Sequence, residues 1–149
     1  MATPRPEVLF IVGLPGSGKT PQLARLRTAG WEIFDDYQAN ACGDSPRFRA
    51  GRRYGELVQS LRDGKKCAVA DMKFCRPADR EEARNDLEQD VSGLILRWEF
   101  FKNDPRQCAE NIRKSERSPA PRLAKLEEFS PQYSAPSGTT FLPIIRDET

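Results

Sequence analysis

The chain has 149 residues, 38% hydrophobic and 31% charged, and its 24 basic and 22 acidic residues leave a net charge of +2. This length predicts one domain over residues 1–149, and the net charge is too small to argue for bulk attraction to nucleic acid, so charge alone does not identify the partner. The chain contains no histidine, which excludes histidine bases, histidine–metal sites and Ser-His-Asp hydrolysis and leaves carboxylates, lysine, arginine and a metal for chemistry.

The first predicted element is a buried parallel strand, the apolar run of residues 8–12. The residues after it fit the pattern Gly-x-x-x-x-Gly-Lys-Ser/Thr at every fixed position: Gly13, Leu14, Pro15, Gly16, Ser17, Gly18, Lys19 and Thr20. The glycines permit the dihedrals and the close approach by which backbone N–H groups surround a polyphosphate. We expect Lys19 to bind the β- and γ-phosphates, and Thr20, at a helix N-terminus, to offer its hydroxyl to Mg²⁺.

A helix-like segment follows at residues 22–27, so the motif stands between a strand and a helix. That context predicts nucleotide binding, whereas the pattern without context also occurs by chance. Pro21 departs from the usual pattern, because it has no N–H at a position whose amide is often directed at the α-phosphate. We expect weaker or differently posed nucleotide binding but an intact helix, since proline is tolerated in the first turn.

The second strand is predicted at residues 31–34 and leads into Asp35 and Asp36. Residues 38–46 have the composition of a loop, and apolar side chains at helical spacing predict a helix over about residues 47–62. A third strand at residues 66–70 delivers Asp71 at its carboxyl end. The remaining predicted elements are a helix at about 76–89, a strand at 94–101, a helix from 105 to about 117, a short helix at about 122–129 and a last strand at 139–145.

The alternation of strands and helices predicts an α/β fold. Each crossover returns right-handed over the sheet, so five parallel strands are expected to carry helices on both faces. With the phosphate-loop motif, this is the P-loop NTPase fold. Ligands in such folds lie beyond the carboxyl ends of the strands. This rule gathers the phosphate loop, Asp35, Asp36, Asp71 and Asn103 into one crevice.

The carboxylates of this crevice are candidates for phosphoryl-transfer chemistry. We expect one of Asp35 and Asp36 to accept the proton of an acceptor hydroxyl and the other to cap the loop, although both are also ordinary turn residues. Asp71 follows an apolar strand, as a Walker-B aspartate does, and is a candidate to hold Mg²⁺. A cap of the following turn is the alternative role for Asp71.

Two groups of arginines are candidates for binding phosphate. Arg113 and Arg117 are expected four residues apart on one helix face, before a proline-broken loop, where a lid would carry guanidinium groups over the β- and γ-phosphates. A solvated helix face explains the same charges. The second group is a basic patch that either grips an acceptor's phosphates or is only an exposed helical turn. It consists of Arg47, Arg49, Arg52 and Arg53.

The cysteines and the apolar runs indicate where the protein resides. The four cysteines never form a Cys-x-x-Cys pair, so isolated reduced thiols are expected rather than a zinc site or a redox pair. No apolar stretch approaches the length of a membrane span, and the N-terminus lacks the layout of a signal peptide. We therefore expect a cytoplasmic protein without a membrane partner.

Taken together, these motifs resemble small P-loop kinases of the group that includes polynucleotide 5'-hydroxyl kinases, zeta-toxin-like kinases and gluconate-kinase-like proteins. The similar stretches are GLPGSGKT, FDDY, VADMKFCRPADREEA and WEFFKNDPRQCAENIRKSER, and YSAPSGTTFLPI resembles the closing segment of short bacterial ATP-binding P-loop proteins. The resemblance implies ATP, Mg²⁺ and transfer of the γ-phosphoryl group to a hydroxyl. It also implies Asp35 or Asp36 as base and Arg113 and Arg117 in the lid.

Three functions fit these residues. The first is a kinase whose acceptor hydroxyl belongs to a small molecule or to a nucleic-acid 5' end. The second is a nucleotide-binding regulatory module or slow NTPase without an acceptor, which the missing amide of Pro21 makes reasonable. The third is a degenerate P-loop fold kept as a scaffold for protein interactions.

Overall fold

The computed structural model describes residues 5–35, 48–51 and 53–145. Its strands are β1 (Glu7–Val12), β2 (Glu32–Asp35), β3 (Lys66–Ala70), β4 (Ile95–Phe101) and β5 (Phe141–Leu142). Its α-helices are α1 (Lys19–Thr28), α2 (Tyr54–Arg62), α3 (Pro77–Asp90), α4 (Pro105–Ser115) and α5 (Ala120–Phe129). The strands form one parallel sheet in the order β2-β3-β1-β4-β5, which confirms the predicted five-stranded parallel sheet.

The two faces of the sheet carry different cores, because successive side chains of a strand point to opposite faces. Val8, Phe10 and Val12 of β1 belong to the larger core, which includes buried side chains of α2, α3, α4 and α5. Leu9 and Ile11 belong to the smaller core, to which Leu23 of α1 contributes. Helices therefore cover both faces, as predicted, and among the described helices α1 is the one that packs on the second face.

An aromatic cluster fills the larger core beneath the carboxyl ends of the strands. The ring of Phe10 stacks on Trp98 of β4 with centroids 4.4 Å apart, and it meets Phe74 edge-on at 5.0 Å. Phe48 lies 6.0 Å from the same ring. Such tilted and offset ring pairs add to the free energy of burial. The cluster ties β1 and β4 to the short 3-10 helices Phe48–Ala50 and Met72–Cys75, which flank the end of the sheet.

The helix predicted over residues 47–62 is broken in the described part of the chain. A 3-10 helix at Phe48–Ala50 precedes α2, which begins at Tyr54. On one continuous helix Phe48 and Tyr54 would lie about 9 Å apart along the axis and on different faces. Instead their ring centroids lie 5.4 Å apart in an edge-to-face pair. The break at Gly51 lets both rings enter the same core.

The last strand is shorter than predicted. β5 pairs with β4 only through Phe141 and Leu142, opposite Phe100 and Phe101. Pro143 follows and has no N–H to continue the ladder, so pairing ends there. The chain then turns to the phosphate loop, where the amide of Ile145 donates to the carbonyl of Ser17 at 3.0 Å.

Candidate functional site

The phosphate loop joins β1 to α1 and contains every residue predicted to bind the nucleotide. Gly16 has φ of 84° and Gly18 has φ of 109°, the left-handed conformation that favours glycine. The amide of Ser17 closes a turn by donating to the carbonyl of Leu14 at 3.1 Å. The loop residues Gly13, Leu14, Pro15 and Ser17 are buried, and Gly16 and Gly18 are half-buried. α1 begins at Lys19, so its first amides lack partners within the helix, and a helix N-terminus of this kind suits an anion.

Close packing against the loop excludes side chains at two of its glycines. A Cβ on Gly16 would lie 2.5 Å from the carbonyl oxygen of Cys108 on α4. A Cβ on Gly18 would lie 2.6 Å from Cβ of Ile145. Helix α4 and the segment after β5 thus rest directly on the loop backbone, and the glycines serve this contact as well as the approach of a phosphate.

Lys19 is folded against the loop that precedes it. Its Nζ donates to the carbonyls of Gly13 at 2.7 Å and Leu14 at 2.9 Å, and the residue is only 8% exposed. The charge is felt by two buried thiols nearby. Burial raises the pKa of Cys75 to about 12 and that of Cys108 to about 11, and the Lys19 ammonium group opposes both shifts. The Lys19 charge is therefore close to both the 3-10 helix Met72–Cys75 and α4.

A hydroxyl and a carboxylate meet beside the loop. Thr20 Oγ1, in the first turn of α1, donates to Asp35 Oδ2 at 3.1 Å. Asp35 is the last residue of β2, and its register opposite Ala70 of β3 places it at the carboxyl edge of the sheet. Oxygen ligands of this kind suit Mg²⁺, which is usually held by one or two carboxylates together with substrate phosphates. The second predicted carboxylate, Asp36, lies outside the described residues.

Asp71 occupies the position expected of it and also caps a turn. It is 3% exposed, it directly follows β3, and its Oδ1 accepts from the amide of Lys73 at 2.9 Å. Arg80 holds the other end of the same 3-10 helix, since its Nη1 donates to the carbonyls of Phe74 at 2.7 Å and Cys75 at 3.2 Å. The cap that was the alternative role for Asp71 is therefore present, and its magnesium role stays a prediction. No group of three or more His, Cys, Asp or Glu in the described ranges could hold a metal.

The predicted lid arginines do not share a helix face. α4 ends at Ser115, because Glu116 is extended with φ of −111° and ψ of 135°, so Arg117 lies in the link to α5. The prediction of a helix to residue 117 was therefore wrong. Arg113 is exposed and lies about 100° around α4 from Ile112, which packs toward Gly16. The lid role of Arg113 and Arg117 stays a prediction.

The described members of the basic patch are already paired. Arg49 forms ion pairs with Asp86 at 3.0 Å and with Asp90 at 3.4 Å. Arg53 pairs with Glu56 at 2.7 Å, and its guanidinium lies 4.2 Å from the ring centroid of Phe34. These contacts favour a structural role for both side chains. The other members of the patch, Arg47 and Arg52, lie outside the described residues.

Asn111, which was not predicted as a site residue, links the phosphate loop to the segment after β5. Asn111 Nδ2 donates to the carbonyls of Gly16 at 2.9 Å and Ile145 at 2.8 Å, and the residue is 5% exposed. A signal was present in the sequence, because Asn111 shares the helical spacing of the buried residues Cys108 and Ile112. A polar residue on a buried helix face needs a partner.

The hydroxyl of Ser17 completes the site. Ser17 Oγ is buried without a hydrogen-bond partner among the described residues, as fits a hydroxyl within a cradle for a ligand.

Three of the four cysteines are described. Cys67, Cys75 and Cys108 are free and buried, which confirms the expectation of isolated thiols for these three, and Cys42 lies outside the described residues. In the part of the chain that the structure describes, no helix is long and apolar enough to cross a bilayer.

Comparison with known proteins places the fold. No protein-family model matches the chain. An uncharacterized protein of Acanthamoeba polyphaga mimivirus is 25% identical over 130 residues, which span 85% of this chain and 86% of that protein. A gluconokinase from Sinorhizobium meliloti 1021 superposes with a TM-score of 0.65 at 14% identity, over 97% of this chain and 86% of that one. The protein APE1195 superposes with a TM-score of 0.53 at 20% identity, over 95% and 85% of the two chains.

These similarities confirm the predicted P-loop NTPase fold and show its resemblance to a kinase of that fold. Identities this low carry the fold alone. Membership of the polynucleotide-kinase and zeta-toxin-like group, which the motifs resemble, stays a prediction.

The packing of α4 on Gly16 predicts a cost specific to that position. Gly16→Ala and Gly30→Ala both place a side chain at positive φ, with φ of 84° and 98°, which costs about 1–2 kcal/mol. Only Gly16→Ala also drives a Cβ against Cys108, whereas no heavy atom lies within 4 Å at Gly30. Urea unfolding should therefore show Gly16→Ala to be less stable than Gly30→Ala by about 1–3 kcal/mol. Equal losses in the two variants would contradict the close packing described above.

Proposed function

We propose that the protein is an ATP-dependent phosphotransferase that moves the γ-phosphoryl group of ATP to a hydroxyl of a small molecule or of a nucleic-acid 5' end. The observation that carries the proposal is the hydrogen bond from Thr20 to Asp35 at 3.1 Å, beside a phosphate loop that holds Lys19. A hydroxyl, a carboxylate and an ammonium group thus surround the N-terminus of α1. This set matches what phosphoryl transfer asks of a protein, namely positioning and stabilisation of charge.

The loop and the helix start bind the triphosphate in this proposal. Amides at the N-terminus of α1 donate to phosphate oxygens, and the positive end of the helix dipole attracts the anion. Lys19 Nζ, now bonded to the carbonyls of Gly13 and Leu14, supplies the charge at the β- and γ-phosphates. Backbone N–H groups and one buried ammonium group act strongly here, because the site is partly removed from water.

The residues present fit a magnesium ion that is bound together with the nucleotide. Thr20 Oγ1 and Asp35 Oδ2 are oxygen ligands 3.1 Å apart, and Asp71 at the end of the neighbouring strand is the third proposed oxygen donor. When bound, Mg²⁺ supplies positive charge at the phosphate oxygens. Thr20 and Asp71 would hold the ion, and Asp35 would join them only where Asp36 is the base of the transfer step.

The acceptor step needs a base beyond the end of β2. The acceptor oxygen forms a new bond to the γ-phosphorus as the bond from that phosphorus to the β–γ bridging oxygen breaks, and ADP leaves. The acceptor proton goes to the carboxylate of Asp35, the last residue of β2, or of Asp36, the next residue in the sequence. In this proposal Arg113, near the end of α4, and Arg117, in the link to α5, supply guanidinium groups to the transferring phosphoryl group.

The location follows from the same proposal. A kinase of this kind uses cellular ATP, and the three described cysteines are free thiols, as suits a reducing compartment. We propose that the protein acts in the cytoplasm.

The direct test is transfer of label from γ-labelled MgATP to a panel of acceptors. The panel holds 5'-hydroxyl DNA and RNA, nucleosides, nucleotides and sugars, with gluconate included because one structural neighbour is a gluconokinase. We expect a labelled acceptor with the wild type and none with Lys19→Ala, which loses the charge at the γ-phosphate. Label that accumulates only as inorganic phosphate would favour the slow NTPase instead. No ATP-dependent signal would favour the scaffold.

The proposed base predicts a separation of binding from transfer. Asp35→Asn or Asp36→Asn should lower the transfer rate by about 10²–10⁴-fold, since that is the usual contribution of a general base. MgATP should still bind, because the loop amides and Lys19 are unchanged. Rates measured at saturating MgATP and acceptor test this. Wild-type rates in both single variants would remove the base from the mechanism.

The missing amide of Pro21 predicts an affinity that a substitution improves. Pro21 lies in the first turn of α1, so Pro21→Ala restores an N–H there without changing the helix start. A hydrogen bond to a charged group contributes about 1.5 kcal/mol, so titration calorimetry should show MgATP binding roughly tenfold tighter. Pro121→Ala, in the first turn of α5, is the matched control and should leave the affinity unchanged. Unchanged affinity in Pro21→Ala as well would show that no phosphate oxygen lies at this position.

A further inference from the structure

Asn111 joins three segments that are remote in the sequence. It lies on α4, and its Nδ2 donates to Gly16 of the phosphate loop at 2.9 Å and to Ile145 after β5 at 2.8 Å. Its Oδ1 accepts from Gln107 Nε2 at 3.1 Å, one turn earlier on α4. The residue is 5% exposed, so these bonds are made away from water.

The chemistry of the contact suits an amide side chain. The carbonyl oxygens of Gly16 and Ile145 both lie within 3 Å of one nitrogen, so two acceptors converge on a single donor group. A primary amide carries two N–H groups on one uncharged nitrogen and an acceptor on its oxygen. An aspartate at this site would set a third negative oxygen against the two carbonyls, and an aliphatic side chain would leave both unsatisfied.

A second bond fixes the loop beside Asn111. The amide of Ile145 donates to the carbonyl of Ser17 at 3.0 Å. In a trans peptide the C=O and the N–H point in opposite directions, so a Ser17 carbonyl held on the outer side turns the N–H of Gly18 toward the inside of the loop. The inside is where a phosphate binds in this kind of loop. The hydrogen bond from Ile145 to the Ser17 carbonyl, on the outer surface of the loop, therefore directs the N–H of Gly18 toward the inner surface.

We infer that Asn111 is a positioning residue for the nucleotide: it holds the phosphate loop in its anion-binding form by tying Gly16 to Ile145, without touching the nucleotide itself. This inference rests on the proposed nucleotide binding. It makes nucleotide affinity depend on α4 and on the segment after β5, two elements outside the sequence motif. Preorganised donors bind more tightly because the cost of ordering them is met in folding.

The test is the dissociation constant of MgADP for Asn111→Leu and Asn111→Asp, measured by calorimetry at a temperature where circular dichroism shows each protein fully folded. We expect both variants to bind roughly tenfold more weakly or worse, the equivalent of one lost hydrogen bond to a charged ligand. Leu61→Ala is the matched control, since it removes a buried side chain of α2, a helix to which none of the loop contacts described above belongs. It should lower the melting temperature and leave the MgADP affinity unchanged.

The pH dependence of Asn111→Asp gives a readout that lost stability alone would not produce. Burial and two facing carbonyl oxygens disfavour the carboxylate, so the pKa of the new group lies above its ordinary value. Below that pKa the protonated carboxyl donates to one carbonyl and restores part of the contact. The affinity of this variant relative to wild type should therefore recover as the pH falls, whereas the deficit of Asn111→Leu should stay constant.

A second pair of variants tests the same contact if the Asn111 variants fail to fold. Ile145→Pro removes the N–H that binds Ser17, and Ile145→Val keeps that N–H and most of the side chain. Weaker MgADP binding by Ile145→Pro than by Ile145→Val supports the inference. Equal affinity in that pair, or wild-type affinity in folded Asn111→Leu, would overturn it. Absence of MgADP binding to the wild type would instead reject the proposed function.

Discussion

The phosphate loop depends on direct contact between its backbone and two elements from the second half of the chain. A Cβ on Gly16 would lie 2.5 Å from a carbonyl oxygen of α4, and one on Gly18 would lie 2.6 Å from the side chain of Ile145. Glycine is therefore required on the outer surface of the loop as well as on the inner one. The same residues that allow a phosphate to approach allow the protein to brace the loop from behind, and Asn111 supplies the hydrogen bonds of that brace.

The charge of Lys19 is held close to the phosphate loop, at the carboxyl ends of the strands. The ammonium group of Lys19 lies against the carbonyls of Gly13 and Leu14, and its field reaches the thiols of Cys75 and Cys108, which come from opposite sides of the loop. Burial raises the pKa of both thiols, so they stay neutral beside the ammonium group. The first amides of α1, which begins at Lys19, have no partners within the helix.

The carboxylates beside the loop make contacts of their own. Asp35 accepts a hydrogen bond from Thr20, which holds this carboxylate beside the start of α1. Asp71 caps a 3-10 helix, and Arg80 binds the other end of the same helix. The described arginines of the basic patch pair with carboxylates of α2 and α3.

The sequence by itself determined the phosphate loop and the order of the elements, because both are encoded in neighbouring residues. Glycine spacing fixes the loop, and alternating apolar runs and helical periodicity fix the parallel sheet. Local sequence patterns did not predict the bounds of an element where residues far apart in the sequence pack together. Phe48 and Tyr54 break a predicted helix to reach the same aromatic cluster, and β5 is limited to two residues by its pairing with β4 and by Pro143.

Only the tertiary structure decided which polar residues meet at the site. The hydrogen bond between Thr20 and Asp35 requires β2 to pair with β3, so that the carboxyl end of β2 lies near the start of α1. The contact of Asn111 with Gly16 joins residues that are 95 positions apart. No spacing rule within a helix or strand specifies such pairs, because they arise when whole elements pack together. The motif supplies the donors for a phosphate, and the packing of α4 and of the segment after β5 determines how they are held.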